Sequence, residues 1–213
     1  TGTRFEVGEC DHQLKVYYPT TTGYSFQTIS STLPPGCYHL AVVRSGPSLN
    51  LYLDGNLTPF FTGIVLGPLN NNLFRVGHWH GATTSGQDWW GTMDDVRLWS
   101  IARTPVQIRD NKDGSLQGAW PNLVASWTFD QPGVTPGGNN TGIISVQDMS
   151  GNGNNGSIYI ADISNSFTGF TLNNLNSNFV HNVCSKQYDV SISDFPAPFP
   201  VSLSAICSGD DAH

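Results

Sequence analysis

The sequence predicts an all-β protein, an antiparallel β-sandwich of the jelly-roll kind with one short helix and an extended C-terminal segment. Three observations carry this. Short apolar runs of strand length recur along the 213 residues, several of them alternating with polar residues. Glycine, asparagine and proline turn signals separate those runs. Charged residues make up only 12% of the chain, too few for a long solvated helix, a coiled coil or a polyelectrolyte tail. Aromatic residues, six Trp among them, are numerous enough to fill a core.

Taken in order, Phe5–Gly8, Leu14–Tyr18 and Tyr24–Ile29 are short strands with partial alternation. Tyr38–Arg44 and Leu49–Leu53 are stronger, and Leu49, Leu51 and Leu53 share one face. Asp54-Gly55 follows at once and signals a type I′ hairpin turn. Leu73–Gly77 and Thr92–Ser100 come next; in the latter, Met93, Val96 and Leu98 alternate imperfectly with Asp94, Asp95 and Arg97. The single helix is expected over Ala102–Asn111, with Thr104 as N-cap, Pro105 at its first position, and Val106 and Ile108 as its apolar contribution. At one to two turns it can only decorate a sheet. Leu123–Asp130 is a further strand, and a Gly/Asn-rich loop runs from Gln131 to Gly156 before the strand-like Ser157–Ile163. Strand candidates in the tail are Tyr188–Ile192 and Val201–Ile206, separated by Pro196, Pro198 and Pro200. The expected organisation is a module over 1–163 and an Asn/Ser/Pro-rich extension over 164–213.

Composition also bounds the setting. The net charge is −7 and no basic stripe exists, which argues against nucleic acid as a partner. No apolar run approaches the roughly 18 residues of a membrane span. The chain starts at Thr1 without Met, so a processed or truncated start is expected. Cys10, Cys37, Cys184 and Cys207 form no metal-binding spacing, and an even, widely spaced set suggests two disulfides in an oxidising compartment. Three pairings are possible; locality in sequence favours Cys10–Cys37 and Cys184–Cys207. Glycosylation sequons at Asn56, Asn139 and Asn155 agree with an extracellular location, whether secreted or at the cell surface.

Several segments together resemble a known module. They are Leu33-Pro-Pro-Gly-Cys-Tyr-His-Leu-Ala-Val-Val43, Leu49-Asn-Leu-Tyr-Leu-Asp-Gly55, Phe74-Arg-Val-Gly77, Trp90-Gly-Thr-Met-Asp-Asp-Val-Arg-Leu-Trp99, and Ala102-Arg-Thr104 with Gln107-Ile108. Leu123-Val-Ala-Ser-Trp-Thr-Phe-Asp130 and Val146-Gln-Asp-Met-Ser-Gly-Asn-Gly-Asn-Asn-Gly156 extend the likeness. In order and spacing they resemble a laminin-G-like jelly roll of the concanavalin A-like lectin/glucanase superfamily, over roughly residues 5–163. The resemblance implies that Trp90 and Trp99 are core residues. Cys37 stands where the family usually has Trp, which supports a local disulfide. The family's opening strands have no counterpart before Phe5, so a fragment, or a unit completed by another chain, is expected.

Hydrolases of this superfold need two carboxylates close together on one strand. The chain has only two Glu, Glu6 and Glu9, in no such run, and the adjacent Asp94 and Asp95 face opposite sides of a strand. An enzyme is therefore not expected. Structural calcium is the expected cofactor, since Asp148, Asn152 and Asn154 offer hard oxygens on a glycine loop. The resemblance adds Asp94 or Asp95 as a further carboxylate. The alternative is a hydrogen-bonded Asx-turn loop without an ion. Trp79 and Trp89, with His78, His80 and Asp88 nearby, are candidate sugar-binding residues, by ring stacking and hydrogen bonding. Packing in the core or an interface is the alternative for the tryptophans.

The expected function is a lectin-like, extracellular recognition or adhesion module that binds a glycan or a protein. One alternative is a structural subunit of a fibre or surface coat, self-assembling through exposed sheet edges with Val201–Ile206 as donor strand. Another is an accessory domain of a larger secreted hydrolase.

Overall fold

A computed structural model of the chain describes residues 6–10, 13–20, 23–29, 37–64, 95–114, 116, 118–130, 145–157 and 188–192. Their elements are β1 (Glu6–Cys10), β2 (Gln13–Thr20), β3 (Gly23–Thr28), β4 (Leu40–Ser45), β5 (Ser48–Leu53), β6 (Phe61–Ile64), β7 (Val96–Trp99), α1 (Pro105–Asn111), β8 (Leu123–Trp127), β9 (Ser145–Val146), β10 (Gly156–Ser157) and β11 (Tyr188–Ile192). The expected strands at Leu73–Gly77 and Val201–Ile206 lie outside the described residues. β6 carries no strong sequence signal; it forms because β5 offers it an edge, Leu51 opposite Phe61.

Two layers result. β1, β2 and β3 form an antiparallel sheet in that order, and a six-stranded sheet runs β6-β5-β4-β11-β7-β8. The main core lies between them. Val7, Leu14 and Val16 of the small sheet cluster with Leu40, Val42, Leu49, Leu51, Phe61, Val96, Leu98 and Ala125 of the large one. Alternation along β4 places Ala41 and Val43 on the opposite face, where they pack with Tyr52 and Ile108. Helix α1 therefore covers the outer face of the large sheet through Ile108. Val106, expected to share that role, is instead half exposed, because a seven-residue helix has only one narrow face toward the sheet.

Local chemistry sets the connections. Thr104 and Gln107 form a reciprocal capping box, the Thr104 hydroxyl accepting from Gln107 N and the Gln107 side-chain Oε1 from Thr104 N. Gly46-Pro47 closes the β4–β5 hairpin between Ser45 and Ser48, the positive φ of Gly46 suiting the first central position of a type II′ turn. Asp54 and Gly55 both have positive φ, and Asn56 N donates to Leu53 O, as a type I′ turn requires. The turn does not lead straight into a partner strand, however. Residues 56–60 make an excursion before β6 begins. Gly55 is held there by a second constraint, since a Cβ would come within 2.7 Å of Lys112 Cδ and 3.1 Å of the Arg109 Cα in α1. Gly55→Ala is expected to lower stability by about 1–3 kcal/mol through positive φ and this close approach. Urea unfolding checks this.

β11 departs from the antiparallel expectation. It pairs in parallel with both β4 and β7 and so occupies the middle of the large sheet. A strand of the 164–213 extension thus lies within the sheet of its own chain. Tyr188–Ile192 thus holds the position between β4 and β7 in cis; the expected donor strand Val201–Ile206 lies outside the described residues.

Candidate functional site

The Gly/Asn-rich loop is organised around one carboxylate. β9 and β10 pair to hold the base of the loop, Val146 opposite Gly156. Gly151 and Gly153, at φ 85° and 77°, let the backbone curl around Asp148. Asp148 is 6% exposed. Its Oδ1 accepts from Ser126 N and Ser150 N, and its Oδ2 from the Ser150 hydroxyl and Asn154 N, each at 2.9 Å. Burial pushes the Asp148 carboxyl upward, but the bonds from Ser126, Ser150 and Asn154 together outweigh it and hold the group below its ordinary value. Asn155 Oδ1 accepts from Asp148 N, tying the two ends of the loop together.

The loop in turn covers the outer edge of β8. Residues Leu98 and Ala125 are partners, as are Trp99 and Leu123, so Val124 is bulged out of the ladder. Its carbonyl accepts from Asn152 Nδ2, Asn154 Nδ2 and the Ser150 hydroxyl at 3.1, 2.8 and 3.4 Å. Asn152 Nδ2 also donates to Leu123 O, Met149 N to Ser126 O, and Trp127 Nε1 to Asn154 O. An open strand edge invites pairing with another chain, and this loop occupies it with side-chain amides.

Asp148 is the carboxylate of the expected calcium ligands Asp148, Asn152 and Asn154. Each carboxylate oxygen already takes two protein donors, so a cation would have to displace them. The amide nitrogens of Asn152 and Asn154 point to carbonyl groups of β8. Among the described residues no group of three or more His, Cys, Asp or Glu could hold a metal. Chelation with EDTA is expected to leave the melting temperature unchanged. A drop reversed by added calcium would show that an ion replaces these bonds.

Asp95, the other described carboxylate of the expected set, serves a different cluster. Its Oδ2 lies 3.6 Å from Arg97 Nη2. Arg97 is fully buried, with Nη1 donating to Asn111 O at 2.8 Å and Nη2 to Gly114 O. The guanidinium thereby caps the C-terminal end of α1 and fixes the helix to β7. Arg103 completes the cluster. It lies 4.1 Å above the Trp99 ring and donates to Gln107 O at 2.9 Å and to Asn111 Oδ1. Trp99 is buried, as the resemblance implied. Sequence reading gave Arg97 and Arg103 no role, although both stand in the motifs that carry the resemblance.

Trp79, Trp89, His78, His80, Asp88, Asp94, Asn139, Cys184 and Cys207 lie outside the described residues. Cys37 is disulfide-bonded. Asn56 and Asn155 are exposed. Trp120 is 43% exposed on the turn before β8, a feature that sequence reading did not single out. No described helix is long and apolar enough to cross a membrane.

A laminin G family model, described as the concanavalin A-like lectin/glucanases superfamily, matches residues 1–109. The match ends within α1, so the motifs over 123–156 lie beyond it. Comparison with curated proteins and with solved structures gives no match.

Proposed function

The chain belongs to the concanavalin A-like lectin/glucanases superfamily, and on that premise we propose that it is an extracellular, non-enzymatic recognition or adhesion module that binds glycans as lectins do. The family match, on a sandwich with loops borne at strand ends, is the observation that carries this reading. Members of this laminin-G-like group are usually non-catalytic. The chain's two Glu support the same conclusion, since Glu6 and Glu9 stand in no run of paired carboxylates. A glycosidase needs two carboxylates that flank the bond to be cut, about 5–10 Å apart. The four cysteines and the sequons at Asn56, Asn139 and Asn155 support the extracellular setting.

The proposed sugar contacts are Trp79 and Trp89, with His78, His80 and Asp88 as hydrogen-bonding partners. An aromatic face stacked on a sugar ring contributes about 0.5–1.5 kcal/mol. Glycan-array binding should therefore fall about two- to tenfold in Trp89→Ala or Trp79→Ala. Undiminished binding in both variants would overturn the assignment.

A further inference from the structure

The large sheet is built from two local units and one remote strand. β4, β5 and β6 form an antiparallel meander within residues 40–64. β7 and β8 form an antiparallel pair whose outer edge the Asp148 loop covers. Among the described strands, β4 and β7 do not pair with each other; β11 joins them.

β11 keeps a continuous register on both sides. Tyr188 to Ile192 pair with Leu40 to Arg44, and Tyr188 to Ser191 pair with Val96 to Trp99. Removing β11 would leave two inner edges unpaired in the middle of the sheet, each exposing backbone donors and acceptors. Its composition follows its neighbours. Val190 is the register partner of the core residues Val42 and Leu98. Asp189 is the register partner of Ala41 and of the fully buried Arg97. A parallel partner so far along the chain has no hairpin to guide its pairing.

We propose that the space between β4 and β7 is a strand-receiving slot, for which the chain's own Tyr188–Ile192 is the built-in occupant. The slot accepts an extended peptide in parallel on both edges, with an apolar residue beside Val42 and Leu98 and an acid beside Arg97. Recognition is by β-augmentation, the backbone ladders giving affinity and the alternating positions giving selectivity. Tyr188–Ile192 is then a structural strand of the module.

Hydrogen exchange on the full-length wild-type chain is the first test. Amides of 188–192 should be protected to about the extent of those in β4, within tenfold. Exchange at the rate of an unstructured peptide would overturn the proposal. Protection found only in a dimer would overturn the assignment in cis. The second test uses the full-length Val190→Pro variant, in which proline removes a ladder donor and releases the strand. A labelled synthetic peptide of residues 187–193 should bind this variant one to one and should not bind the wild type. The same peptide carrying Asp189→Lys should bind about tenfold or more weakly, because it sets a second cation beside Arg97. Equal binding of the two peptides would overturn the acid requirement. Should Val190→Pro fail to fold, the exchange measurement on the wild type decides.

Discussion

Arg97→Met will lower the unfolding free energy by about 3–5 kcal/mol, the cost of breaking a buried ionic contact from one side. The methionine keeps the apolar stem and removes the guanidinium. Asp95, 5% exposed, then loses its nearby cation. The carbonyls of Asn111 and Gly114 lose their donors in the same step. Helix α1 has seven residues, far too few to persist without such anchoring. Arg97→Lys should recover only part of the loss, because one ammonium cannot reach both carbonyls as a planar fork does. Urea unfolding followed by Trp fluorescence measures both variants, and the midpoint should fall while the slope stays unchanged. A loss under about 1 kcal/mol in Arg97→Met would mean that the helix is held by its other contacts, Ile108 and Arg103 among them.

The second large effect belongs to Asp148. Asp148→Ala leaves three backbone amides and the Ser150 hydroxyl without their acceptor at a buried point. The expected loss is about 2–4 kcal/mol, from charge-assisted bonds and stranded donors. Covering of β8 should fail with it, so association through the freed edge is expected at high protein concentration. Asp148→Asn keeps one acceptor and turns an N–H₂ toward donors, so an intermediate loss is expected.

The same group makes stability depend on pH. Its folded carboxyl titrates below the ordinary value of 3.8. Above that value both states are ionised and the stabilisation is fully present. As pH falls below 3.8 and through the folded value, the unfolded state takes up the proton first and the stabilisation is lost. Unfolding free energy measured between neutral and acid pH should therefore drop in the wild type. The drop should be smaller in Asp148→Asn, which has no proton to bind there.

Much of the scaffold is legible in the sequence because its signals are local. The capping box at Thr104 and Gln107 needs only the spacing of two side chains. The turn at Asp54-Gly55 needs only two residues that tolerate positive φ. The path of the chain beyond that turn is not legible, since the place of β6 depends on where Leu51 can pair and on how closely Gly55 meets α1. Val106 and Ile108 are equally apolar in sequence, and only the direction of one short helix separates them.

The polar centres are harder to read for a different reason. Asp148 stands among Gly and Asn whether its oxygens meet a cation or N–H groups, and composition does not distinguish the two. The donors that it meets, Ser126 N above all, come from a strand more than twenty residues away. Arg97 looks like a break in an alternating strand. Its burial makes sense only once the carbonyls of Asn111 and Gly114 are brought to it by the helix. Tyr188–Ile192 is recognisable as a strand, but no local pattern announces that it will be central and parallel. Long-range pairing of that kind has no turn to mark it.

The proposal that the module binds sugars without cutting them is tested most directly by one incubation. Glycans retained by the wild-type protein on an array are held with it at neutral pH, then assayed both for bound intact glycan and for new reducing ends. The expected result is retained, uncut glycan with no reducing ends above the buffer control. New reducing ends that increase with protein concentration would contradict it and make the chain a hydrolase.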